Sequence, residues 1–310
     1  MIFSSAWLIL FAVPFLQAQQ STGIKMIMER GQAPLPSKEA IYVQADRKRV
    51  EYRNSFGKSL PDGSLQPIYG PHLAMITRCD LGQIFELNLD TSEYTVRPYP
   101  PRPFTKEEMA ARGMPAKVTY VSDKPTLRIE VTTNDTGERK EIFGHTARHV
   151  LVTRKQIPLE GSVSKPQETV TDGWYIDADL NGVNLWHWLP CDRQWPKGKP
   201  GNSYLYATNG SRPIDKPEFV NIGERETGFA VRSTATTKSE YTLADGSQRQ
   251  WENKFVTEVK QLDEAPLDPA LFEVPARFKQ VDHIERNVLV SASQPTFWQR
   301  VRAGVSGLFR

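Results

Sequence analysis

Between His72 and Val96 the chain reads HLAMITRCDLGQIFELNLDTSEYTV, with apolar runs on either side of Asp80-Leu81-Gly82 and a short third run after Asp90-Thr91-Ser92-Glu93. In the middle run Phe85, Leu87 and Leu89 alternate with Glu86, Asn88 and Asp90. Successive side chains of a strand point to opposite faces, so this period of two predicts a strand with one dry face and one wet face. The Asp- and Gly-bearing breaks supply turn chemistry, and the whole stretch predicts an antiparallel ribbon.

The same grammar recurs. Ile41–Ala45 and Val50–Arg53 predict a strand pair or one bent strand, with Val50 and Tyr52 opposite Arg49, Glu51 and Arg53. Leu127, Ile129 and Val131 alternate with Arg128, Glu130 and Thr132; Asn134-Asp135-Thr136-Gly137 then predicts a turn into Arg139–Phe143, and His145–Thr153 follows Gly144. A long hairpin is expected from Phe229 to Lys260, turning at Ala244-Asp245-Gly246-Ser247. Ser21–Leu35 is a weakly amphipathic lead-in, and Pro98–Pro103 must be extended, because each proline fixes its own φ and restricts its predecessor. Thr105-Lys106-Glu107-Glu108 is a capping box opening a short helix that Gly113 stops. Many strands joined by short turns predict a mainly β protein, an antiparallel meander rather than a parallel α/β sheet.

Residues 2–15 are uncharged and rich in Leu, Ile, Phe and Val, and Pro14 with Leu16-Gln17-Ala18 follows. This predicts a secretory signal over residues 1–18 and a location in the periplasm or cell envelope, although no Lys or Arg precedes the apolar run. One domain over 19–285 is expected, with inserts near 98–116 and 186–211 and a basic tail over 286–310. The net charge of +3 is small and both signs are interspersed, so no nucleic-acid-binding stripe is present. The two cysteines, Cys79 and Cys191, are either a disulfide suited to an oxidising compartment or two separate buried thiols.

Several short motifs occur in a telling order. Asp46-Arg47-Lys48-Arg49-Val50-Glu51-Tyr52, Gly82–Asn88 with Tyr94, Gly144–His149, Gly173-Trp174-Tyr175-Ile176 and Leu267-Asp268-Pro269-Ala270-Leu271-Phe272-Glu273-Val274-Pro275 together resemble the strand motifs of lipoprotein-carrier-like (LolA/LolB-type) periplasmic domains. That resemblance spans about residues 41–278 and departs at the two inserts. It implies a single curved antiparallel sheet, or incomplete barrel, with helices covering the concave side. It also implies binding of lipid or acylated protein.

Candidate chemistry is sparse. Asp177-Ala178-Asp179-Leu180-Asn181-Gly182 matches the first half of a calcium loop, but Trp188 stands where a bidentate Glu should close it, so a turn is the simpler reading. His145 and His149 lie in a β-branched run; on a strand they would be about 13 Å apart, too far to share an ion. Trp186, Trp188, Trp174 and Trp195 form either an aromatic platform or core ballast. Ser162–Lys165 and Ser55–Lys58 fit Ser-x-x-Lys, a pattern common by chance. No nucleophile elbow, zinc-protease or dinucleotide motif is present, and no catalytic residue, metal or cofactor is nominated.

In the tail, Phe297, Trp298, Val301, Val305, Leu308 and Phe309 fall within an arc of about 120° at helical spacing. Arg300, Arg302 and Arg310 add positive charge, giving a helix for an anionic membrane surface or for docking on the β domain. The expectation is therefore a non-enzymatic envelope protein binding an acyl chain or other amphiphile. The alternative is an envelope scaffold or interaction module with a filled core.

Overall fold

The computed structural model describes residues 22–32, 35–62, 65–99, 120–180, 183–185, 213–242 and 245–286, with Thr105, Glu107, Leu189 and Cys191. The predicted signal, the Trp186–Trp188 cluster with Trp195, most of both inserts and of the capping-box helix, and the C-terminal tail lie outside these residues.

Two meanders build the fold. The first runs through β1 (Gly23–Gln32), β2 (Ser37–Gln44), β3 (Arg47–Arg53), the side hairpin β4 (Ser55–Ser59) and β5 (Leu65–Tyr69), then β6 (Leu73–Arg78), β7 (Gln83–Asn88) and β8 (Glu93–Pro98). The second runs through β9 (Leu127–Ile142), β10 (His145–Pro158), β11 (Gln167–Ile176), the small ribbon β12 (Asp179–Leu180) and β13 (Val183–Asn184), then β14 (Pro217–Ile222), β15 (Phe229–Thr242) and β16 (Gln248–Ala265); β17 (Lys279–Gln280) is the last strand among the described residues. One thirteen-stranded sheet results, in the order β14-β9-β10-β11-β15-β16-β1-β2-β3-β6-β7-β8-β17.

The structure is mainly β, and the sheet does not close into a barrel. It is mixed rather than purely antiparallel, because β14 joins β9 and β17 joins β8 in parallel. The lead-in at Gly23–Gln32 proves to be a central strand between β16 and β2. Among the described residues no helix covers either face. The 3-10 turn Pro269–Phe272 lies on one face instead, capped by Asp268, whose carboxylate accepts from the Ala270 amide, with Pro269 fixing the entry.

Both faces carry a core. On the first face Ile24, Met26, Ile41 and Val43 pack with Val231, Val259 and Leu262 beneath Leu180, Leu185 and Leu189. On the second face Ala74, Ile76 and Leu87 receive Phe272 and Phe278. Arg49 and Arg78 tie this turn down by donating to the carbonyls of Leu271 and Phe272. Alternation correctly places Leu87 on a buried face, but Glu86 and Asn88 on the expected wet face are 6% and 2% exposed. The reason is tertiary: residues 281–286 cross that face, where Ile284 is buried, the Asn88 amide donates to the Glu285 carbonyl and Arg286 pairs with Glu86.

A second correction concerns Asn134–Gly137. It is not a turn; β9 runs straight through it, and the chain reverses at Phe143-Gly144. Residues Thr136–Glu138 bulge opposite His149, with Gly137 at φ +84° and its amide bonded to the Asp135 carboxylate. Two further bulges leave Val231 and Lys260 without a cross-strand partner. All three fall close to one line across the sheet, His149–Trp174–Arg232–Glu258–Glu29, as the cross-strand partners show. Aligned bulges increase twist and bend the strands together. Below the line, Ala147, Ile176 and Val231 are buried; above it, none of residues 151–158, 167–172, 233–240 and 248–257 is.

Asp215 closes the far end. Its buried carboxylate accepts from the Thr126 and Ser162 hydroxyls and from the amides of Val163 and Ser164, at 2.8–3.1 Å. Burial alone pushes its pKa up, but these hydrogen bonds outweigh burial and hold the carboxyl below its ordinary value. Asp215→Ala should cost about 2–4 kcal/mol, read from urea melting, because two amides lose their buried acceptor.

His72 gives a second pH handle of the same sign, at higher pH and from a different cause. Burial holds its imidazole below the ordinary 6.5, although Glu51 nearby pulls the other way. The unfolded chain thus takes up this proton at a higher pH than the folded one. Stability from this group is complete above 6.5 and is lost as the pH falls from there through the folded value. Urea midpoints at pH 7.5 and 5.5 should differ less in His72→Gln than in the parent.

Candidate binding surface

Beyond the bulge line six strands, β14, β9, β10, β11, β15 and β16, form a wing whose two faces differ in chemistry. On the second face Glu130, Lys155, Glu168, Lys238 and Glu252 are successive cross-strand partners, so charge alternates from β9 to β16. The Lys155 ammonium lies 3.4 Å from the Glu168 carboxylate. Opposite charges on facing residues stabilise such a ladder, and it stays hydrated. Nearer the bulge line, on the same face, Trp174 stacks on His149 at 4.8 Å, with the Lys140 ammonium 3.8 Å from its ring centre.

The first face of the wing is largely uncharged. Thr133, Val152, Thr171, Ala235 and Phe255 form one cross-strand row. Val131, Arg154, Thr169, Thr237 and Asn253 form the next, with the two threonine hydroxyls 2.9 Å apart. In a third row Gln156 donates to Gln167 at 2.6 Å, and Trp251 ends the row, 46% exposed. Phe255 is 43% exposed, and Phe219, paired with Ile129 on β14, is 67% exposed. Val220 and Ile222 of the same strand are also exposed. Large apolar side chains left in water on an outermost strand are the feature that natural sheets otherwise avoid.

Two pockets among the described residues are open to solvent and carry charged and amide side chains. One, of about 410 Å³, sits at the wing's end among Lys155, Gln156, Gln167, Lys238 and Gln250. The other, of about 340 Å³, lies at the opposite edge of the sheet beside Glu86 and Arg97.

The residues nominated from sequence separate cleanly. Cys79 and Cys191 form a disulfide across 112 residues, joining the end of β6 to the segment that carries Leu189 into the first-face core. In the half calcium loop, Asp177 is paired to Arg148 and Asp179 accepts from Asn184, while Asn181 and Gly182 lie outside the described residues. Among the described residues no three His, Cys, Asp or Glu side chains gather as a metal site. His145 and His149 sit on one strand with separate partners, Glu264 for the first and Asp172 with Glu138 for the second. The Ser162 hydroxyl of one Ser-x-x-Lys pattern is spent on Asp215, and that of Ser55 on the Leu35 carbonyl. The tail residues Phe297, Trp298, Arg300, Val301, Arg302, Val305, Leu308, Phe309 and Arg310 lie outside the described residues.

Sequence reading missed the wing. Phe229–Lys260 announced a hairpin, but Phe255 and Trp251 carried no sign that their face would stay uncovered. Their neighbours on β11, β10 and β9 come from residues about a hundred positions away.

Removing the bridge tests how far this surface depends on the covered half. Cys79→Ser should lower stability by roughly 5 kcal/mol on the chain-entropy model, measured by denaturant melting against the parent in its oxidised form. Compared with known proteins, the chain matches no family model and no curated relative.

Proposed function

We propose that this chain is an exported interaction module that holds an extended partner segment on the first face and outer edge of its wing. The observation that carries the reading is the neutral row Thr133–Val152–Thr171–Ala235–Phe255, half-open to water while the reverse face carries a charge ladder. A neutral, partly apolar sheet face beside an apolar edge strand suits a partner that brings its own hydrogen-bonding backbone. Among the described residues the buried apolar side chains of both faces pack against one another, which supports taking this more open surface as the place for a ligand.

A second reading is an amphiphile carrier of the lipoprotein-carrier-like class, acting at a membrane surface through the C-terminal tail. Exposed Phe255, Trp251 and Phe219 favour it, since aromatic rings bind acyl chains well. An acyl chain lying on an open face keeps one side in water, so this reading ranks second. The Cys79–Cys191 disulfide is compatible with export under either reading.

Native mass spectrometry of the protein taken from its own cell envelope without detergent separates the two. A protein-sized adduct supports the interaction module; a mass increment of one lipid supports the carrier; a bare mass with no capture by either route overturns both. Phe255→Asp and Phe219→Asp should each abolish capture while changing stability by no more than about 0.5 kcal/mol, because both side chains are already exposed.

A further inference from the structure

At the edge of the sheet remote from the wing, the chain builds a polar pocket that neither reading above uses. After the 3-10 turn, the Lys279 amide donates to Ser92 and the Val281 amide to Tyr94, so the segment runs beside β8. It then crosses the first face, burying Ile284 and bringing Arg286 over β7. The space enclosed, about 340 Å³, is lined by Glu86, Thr95, Arg97, Gln280, Asp282, His283 and Arg286 among others. That volume lies at the lower end of the range for small-molecule sites.

Glu86 organises it. Its side chain is 7% exposed, and its Oε2 accepts from Arg286 Nη2 at 2.6 Å and from Arg97 Nη2 at 3.4 Å. A buried carboxylate needs such partners, and here it holds two guanidiniums against one oxygen atom. Each arginine spends one nitrogen on Glu86 and keeps Nε and Nη1 without a protein acceptor among the described residues. Both side chains are slightly more than half exposed, so those donors reach solvent. One carboxylate against two guanidiniums leaves one positive charge on the trio. Asp282, on the pocket wall, limits how much negative charge can enter.

We propose that this pocket binds a phosphoryl group, with Arg97 and Arg286 as its clamp and Glu86 as the residue that positions them. A carboxylate is satisfied by one guanidinium fork, whereas a phosphate ester has enough oxygens to engage two at once. Thr95 and Gln280 supply hydrogen bonds for a small polar substituent, and the volume exceeds what a bare oxyanion fills. Lipid headgroups and soluble phosphate esters both carry this chemistry.

The test is a titration of the purified protein with inorganic phosphate and with glycerol phosphate, followed by phosphorus NMR at constant ionic strength in chloride. Saturable binding is expected, tighter for the ester. Arg97→Gln should weaken it about tenfold or more, the loss of a charge-assisted hydrogen-bond pair, while the far-ultraviolet circular dichroism of the folded protein is kept. Arg97→Lys, which keeps the charge but loses the fork, should also weaken it. Vesicles of phosphatidylcholine with and without phosphatidic acid then separate the sources: binding that needs phosphatidic acid and is lost in Arg97→Gln assigns a lipid headgroup, and binding of the soluble ester alone assigns a free ligand. Line broadening no greater than in the same buffer without protein, or equal in parent and Arg97→Gln, overturns the proposal.

Discussion

Everything in this fold depends on the backbone hydrogen bonds that β1 makes on its two sides. It pairs with β16 from Gly23↔Ala265 to Gln32↔Phe255 and with β2 from Ile24↔Val43 to Arg30↔Ser37. The first ladder joins residues more than two hundred positions apart, and it fuses two meanders into one continuous sheet. Without it, each meander would end in an open edge next to its own hydrophobic core. Ile24 and Met26, both fully buried, are the apolar reward for closing so long a loop.

A sheet this wide has two large faces, and the chain covers them unequally. Below the bulge line the β12–β13 ribbon, held near the disulfide, lies on the first face, and the proline-framed turn carrying Phe272 lies on the second. Above the line, apart from Val150 beside it and Leu127 and Ile129 of β9 near the far end, the apolar side chains of these strands are not buried. The bulges therefore divide a structural half, where side chains fill the space between layers, from a wing whose faces meet water. Charge alternates on one face of that wing and is nearly absent from the other. That asymmetry is the physical basis for reading the wing as a binding surface rather than as an extension of the core.

Much of the scaffold was legible in the sequence. The Asp80–Gly82 and Asp90–Glu93 breaks mark the turns of the β6–β7–β8 ribbon, and Asp245–Ser247 falls between β15 and β16, because turn chemistry is local. Leu267–Pro275 was visible as a motif, and its Asp-Pro start explains the 3-10 turn it forms. The errors share a cause. Asn134–Gly137 carries turn residues yet forms a bulge, since a neighbouring strand with its own register continues past it. Glu86 and Asn88 look solvated, but a segment two hundred residues later buries them. Gly23–Gln32 looked like a lead-in, because its partners are the far end of the chain and the following strand.

Local pattern alone sets the mainly β class, the turns at Asp80–Gly82 and Asp90–Glu93, the inward set of several strands and the availability of two cysteines. Those features follow from periodicity and local backbone preference, which act over a few residues. Tertiary structure alone decided strand order, the alignment of three bulges, which faces are covered, and the meeting of Arg97, Arg286 and Glu86. Each of these depends on contacts between residues remote in the chain. No local pattern encodes which distant segment will arrive to bury a carboxylate or leave a phenylalanine in water.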